Sequence, residues 1–269
     1  MTTLVPPPLP PPPAPPKGVT PHLLHAGGGI WHLTWRSWIA PGRAWLGGVL
    51  LAALGLLAFV AADDSAGTVY LDWIGEFYLG VLVPISSFLL GAGSMRDDFK
   101  PGTVDYILTR PVPRPYYVLF RYGAQLVCAT GFGLAALAVL AGVGAFRSVP
   151  RLAEVLPLLA AAQLLATAAF VALGFVCAAL TSRYLVLGVV YGAVVEVGLG
   201  QIPIQLNRLS ILHHVRLLFN QVLVGYDKPA TGESLASVAL LLVIAVGLMA
   251  ISAAVYALRE WTGDQPKDT

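Results

Sequence analysis

Between Leu156 and Leu180 the chain carries no charged residue, and apolar runs of the same kind recur along most of its length. A run of about 20 such residues is what an α-helix needs to cross the hydrocarbon core of a bilayer. Composition agrees: 57% of the 269 residues are hydrophobic and 11% charged, whereas in soluble domains roughly a quarter are charged. The expected fold class is therefore all-α, a polytopic membrane protein. A net charge of +2 gives no sign of nucleic-acid binding, so what matters is where the positive residues fall.

Six runs qualify as spans: about 44–62, 77–95, 122–146, 156–180, 184–202 and 235–258. The second carries Pro84 beside Ser86 and Ser87. A proline frees a backbone carbonyl that neighbouring serines can satisfy again, so a kink is expected there. With the N-terminus inside, eleven Lys and Arg fall in inside segments and five (Arg147, Arg151, Arg208, Arg216, Lys228) in outside ones. That asymmetry favours a cell membrane protein with both termini, and the 96–121 loop, in the cytoplasm. Small residues four apart, such as Gly131 and Ala135, Ala162 and Ala166, Ala168 and Ala172, and Gly174 and Ala178, let helix backbones approach closely. Gln125 and Gln163 are expected to hydrogen-bond between helices, as polar side chains in lipid do.

Residues 1–29 precede the 30–262 membrane domain, and 263–269 follow it as a short cytoplasmic tail. Prolines 6–8, 10–13, 15 and 16 predict an extended, disordered cytoplasmic segment. The first apolar run starts too late for a cleaved signal peptide. In 30–43 Trp31, Trp35 and Trp38 recur at i, i+4 and i+7 with Arg36 and Arg43 nearby, predicting an interfacial helix with its indoles at the lipid headgroups. Between the last two spans, 203–233 is predicted as an outer amphipathic segment. Ile211, Leu212, Val215, Leu218, Phe219, Val222 and Leu223 gather on one side of it, and His213, His214, Arg216, Asn220 and Gln221 on the other. No third ligand of suitable spacing accompanies the two histidines.

Chemistry-bearing residues are few. Glu196 is the one acidic residue well inside an apolar run. An intramembrane carboxylate points to an ion or proton relay, with pairing inside the bundle as the alternative. Cys128 and Cys177 both lie inside spans, which argues against a disulfide or a cysteine metal site. Neither a G-x-x-x-x-G-K-[ST] phosphate loop nor an H-E-x-x-H pair occurs, so no enzyme is expected and no metal site.

That leaves the loop from Arg96 to Arg121, which holds five Lys or Arg and three Asp. Its middle, Gly102 to Arg110, predicts one short helix with Thr103 as N-cap, closed by Pro111, Pro113 and Pro115. Arg96-Asp97-Asp98, then Gly102-Thr103-Val104, then Tyr106-Ile107-Leu108-Thr109-Arg110-Pro111-Val112-Pro113-Arg114 resembles the coupling loop of type-2 ATP-binding-cassette (ABC) transporter permeases. In that family an acidic residue follows the second span, a G-T pair opens the coupling helix, and an R-P-x-x-R turn leads into the third. Asp98 stands where the family usually has Glu, and Arg121 where it often has Lys.

The resemblance implies a permease subunit of an exporter, paired with a second permease subunit as homo- or heterodimer and with separate ATPase subunits that hold ATP and Mg. It also implies docking through Asp98, Gly102, Thr103, Asp105, Tyr106, Ile107, Leu108, Arg110 and Arg114, with Arg121, Trp31, Trp35 and Trp38 as anchors at the lipid interface. The rival expectation is a non-transporting membrane scaffold or assembly factor whose loop recruits another cytoplasmic protein.

Overall fold

The computed structural model describes residues 23–62, 68–99, 112–198, 210–223 and 231–258. The described residues are helical apart from turns. The helices are α1 (Leu23–Ile39), α2 (Pro41–Ala61), α3 (68–98), α4 (Arg114–Phe146), α5 (Leu152–Leu180), α6 (184–198), α7 (Ile211–Leu223) and α8 (Thr231–Leu258). Five are long and apolar enough to cross a membrane: α2, α3, α4, α5 and α8. The fifth expected span, 184–202, begins as the shorter apolar helix α6, and its end lies outside the described residues.

α5 is the centre of the bundle, packed against α3, α8, α4, α7 and α6. Its buried face is rich in alanine: Ala162, Ala166, Ala169, Ala172, Ala178 and Ala179 are almost fully covered. Water supplies no force to bring helices together in lipid, so close contact of small residues does that work. At the α3–α5 crossing a Cβ added to Gly91 would lie 2.5 Å from the Val171 carbonyl oxygen. One added to Gly174 would lie 2.5 Å from that of Phe88. Backbone meets backbone here, and only glycine fits. The other expected small pair, Gly131 and Ala135, lies away from the crossing; nothing stands within 4 Å of a Cβ at Gly131.

Polar side chains join the helices as expected. Tyr78 Oη donates to Gln163 Oε1 (2.8 Å) and lies 3.2 Å from the Gly133 carbonyl, tying α3 to α5 and α4. Trp38 Nε1 donates to Gln125 Oε1 (3.3 Å), tying α1 to α4. α2 runs alongside α4 from Gly47 beside Phe132 to Phe59 beside Phe146. The Arg147 guanidinium lies over the Phe59 ring at 3.9 Å.

Several boundaries differ from the sequence expectation. α1 starts at Leu23, so 23–29 belong to a helix rather than to the tail; Gly27 is buried where the α4 residue Phe120 leaves no room for a Cβ. The helix then breaks at Ala40, whose extended backbone (ψ 133°) is what a residue before proline adopts, and Pro41 opens α2. α3 and α4 continue past their apolar runs at both sides of the loop, to Asp98 and back to Arg114. Charged side chains at these ends find protein partners, which hydropathy does not register.

A π-helical stretch, Ile74–Leu82, lies just before Pro84. Val83 N–H donates to Tyr78 O, five residues back. Ser86 Oγ donates to its own turn, at Leu82 O (2.6 Å). A second π-helical stretch, Gly192–Gly198, forms the end of α6.

Candidate functional site

Asp98 ends α3 and Arg121 lies two turns into α4, so the two stand on either side of the connection through 100–111. Arg121 grips the Asp98 carboxylate with both arms: Nε donates to Oδ2 (2.9 Å) and Nη2 to Oδ1 (3.0 Å). The planar guanidinium matches a carboxylate in this side-on way, which lysine cannot copy. Tyr117, one turn before Arg121 on the same face, donates its hydroxyl to Asp98 Oδ2 (2.7 Å). Asp98 is 7% exposed and Tyr117 8%. A buried ion pair is tolerable only when its remaining donors and acceptors are satisfied, and here they are.

The cluster reaches two more helices. Arg121 Nη1 donates to Thr34 Oγ1 on α1, and Thr34 Oγ1 donates to Ile30 O (2.9 Å). On the α8 side Tyr256 stacks between Tyr117 and Phe99, each ring 5.9 Å away. Arg114 Nη1 reaches Ala257 O at 3.5 Å, near the C-terminus of α8, where a cation is favoured. Four helices, α1, α3, α4 and α8, are thus pinned where the loop begins and ends. The neighbouring Arg43–Asp97 pair (3.0 Å) is exposed and adds little to this.

Of the expected docking residues, Gly102, Thr103, Asp105, Tyr106, Ile107, Leu108 and Arg110 lie outside the described residues. Arg114 is exposed. Asp98 has its oxygens engaged inside the chain, where Arg121 and Tyr117 converge on them. Arg121, expected as an anchor at the lipid interface, is the other half of that pair. The three tryptophans divide as well. Trp31 and Trp35 are exposed, while Trp38 turns onto α4, bonded to Gln125 and 6.2 Å from the Phe132 ring.

At the other end of the bundle Glu196 has a structural use. Its carboxylate accepts from Tyr191 Oη (2.8 Å), Ser210 Oγ (2.6 Å), Ile211 N (3.1 Å) and Leu212 N (3.1 Å). Ser210 Oγ in turn accepts from His213 N (3.0 Å). The first N–H groups of a helix have no partner within it, and a negative charge is favoured beside them. Ser210 and Glu196 together cap α7, so pairing inside the bundle describes Glu196 better than an open relay does.

α7 itself buries Ile211, Val215, Leu218 and Phe219, as its pattern predicted. His214 is a correction: it joins the buried face, 5% exposed, with Nδ1 3.3 Å from Ser237 Oγ on α8. Residue 214 follows 211 by three and precedes 218 by four, and on a helix that spacing puts it between them. Among the described residues no group of three or more His, Cys, Asp or Glu could hold a metal ion.

Sequence reasoning passed over Tyr117, Tyr256, Thr34 and Ser210. The spacing of Tyr117 and Arg121 and the cap position of Ser210 were visible signals; the approach of α1 and α8 was not. No family model matches the chain, and no curated protein matches it.

Proposed function

We propose that the chain is the permease subunit of an ABC exporter, which couples ATP hydrolysis in a separate ATPase to movement of a substrate across or out of the membrane. The observation that carries this reading is the pinned base of the loop, where Asp98 and Arg121 lock α3 to α4 and reach α1 through Thr34. Force applied to a docking helix does nothing unless its attachment is stiff. A bidentate pair, a buried tyrosine and an aromatic stack make that attachment stiff here.

In this reading α6 continues as a sixth span, both termini and the loop face the cytoplasm, and α1 lies at the membrane interface with Trp31 and Trp35 in the headgroups. Tyr106, Ile107 and Leu108 fill a groove in the ATPase, with Asp105, Arg110 and Arg114 setting the polar register. Closure of two ATPase subunits on ATP and Mg then moves α3 and α4, and the helices pinned to them, as rigid bodies. A second permease subunit completes the pathway.

The test is purification of the tagged chain from its native membrane under mild detergent. An ATP-binding-cassette ATPase must come with it, and ATP hydrolysis by the pair must rise over that of the ATPase alone. A chain that brings down a cytoplasmic protein without nucleotide-hydrolysing activity is the scaffold or assembly factor instead.

A further inference from the structure

α7 touches both π-helical stretches. On one side its Phe219 ring lies on Gly75, in Ile74–Leu82, so tightly that any Cβ at Gly75 would overlap it. Arg216 of the same helix stands beside Gly80. On the other side Glu196, in Gly192–Gly198, holds the α7 N-terminus through Ser210 Oγ and the backbone of Ile211 and Leu212. The gap between α7 and the first stretch, lined by Gly75, Leu79, Val215 and Phe219, holds no space for water.

A π-helical turn contains one residue more than an α-helical turn, and such stretches tend to mark functional positions. Returning to α register shifts one residue past its neighbours, which turns side chains by about 100° and moves them about 1.5 Å along the axis. Glu196 would swing off the α7 N-terminus. At the other stretch Ile74 or Glu76 would replace Gly75 under the Phe219 ring, where neither fits. Each π register thus presents to α7 the one residue its seat requires.

We infer that α7 and the two π stretches form a single two-state element: α7 is seated only while both stretches keep the π register, and its release frees both to leave that register, opening their backbone hydrogen bonds. The seat couples α3 to α6 although Gly75 and Glu196 do not touch. It lies at the opposite end of the bundle from the loop, and exists whatever binds there.

The test is hydrogen–deuterium exchange, read by mass spectrometry, on the full chain in lipid nanodiscs. Gly75→Ala should speed exchange about five- to tenfold at 211–223, the scale of a lost helix cap, and by a similar factor at 192–198, which it does not contact. Glu196→Gln should do the converse, reaching 74–82. Phe219→Ala, which empties the seat without adding an atom, gives the same readout if Gly75→Ala does not accumulate. Adding Phe219→Leu to Gly75→Ala should restore protection at both stretches. Faster exchange confined to α7 and the stretch carrying the substitution, with the distant stretch unchanged, would overturn the inference.

Discussion

Arg121 holds Asp98 by two parallel hydrogen bonds of 2.9 and 3.0 Å across the two ends of the 100–111 connection. Removing one member of a buried pair leaves the other charge without compensation, at a cost of about 3–5 kcal/mol. Asp98→Ala and Arg121→Ala should each lower the thermal midpoint of the detergent-solubilised chain sharply. The double variant should be less destabilised than the sum of the two. Arg121→Lys should recover only part of the loss, because an ammonium cannot grip both oxygens and Thr34 at once. Scanning fluorimetry on the four variants measures all of this.

Gly174→Ala and Gly91→Ala should be harmful out of proportion to one methyl group. Each places a carbon 2.5 Å from a carbonyl oxygen of the facing helix, and overpacking of this kind costs about 1–3 kcal/mol or more. Gly131→Ala has open space around it and gains helix propensity, about 1 kcal/mol in aqueous hosts. It should leave the midpoint unchanged or raise it.

Much of this architecture could be read from the chain alone, and the exceptions have a common cause. The long apolar runs predicted α2, α3, α4, α5 and α8 because lipid demands them. Their extension to Asp98 and back to Arg114 was hidden, since those ends are polar and depend on partners far away in sequence. The resemblance assigned Asp98 to an outside partner; its neighbours in space are Arg121 and Tyr117. Trp31 and Trp35 are exposed, whereas the contact made by Trp38 depends on the position of α4. For Glu196 both readings were open, and what separates them is where the start of α7 comes to rest.

The α4–α5 turn holds Ser148 at φ 55° and Arg151 at φ 60°. This left-handed conformation costs an ordinary residue roughly 1–2 kcal/mol and glycine nearly nothing. Ser148→Gly should raise the thermal midpoint without touching either end cluster.

His213 gives the seat of α7 a pH dependence. Burial, with His214 and Arg216 beside it, holds its imidazole below the ordinary value of 6.5. A base whose folded value is depressed takes up a proton more readily when unfolded. The folded form is therefore at full advantage above pH 6.5 and loses stability as the pH falls through that value toward the depressed one. Exchange protection of 211–223 should weaken below about pH 6.5, and His213→Gln should flatten that dependence.

The central claim is that the loop between α3 and α4 docks an ATPase. The most direct measurement is co-purification of that ATPase, with its ATP hydrolysis rate, for the wild type and for the double variant Tyr106→Ala with Asp105→Lys. The account predicts that the wild type retains the ATPase and stimulates it, and that the variant, still folded and inserted, loses both. Retained binding with undiminished hydrolysis in the variant would contradict it.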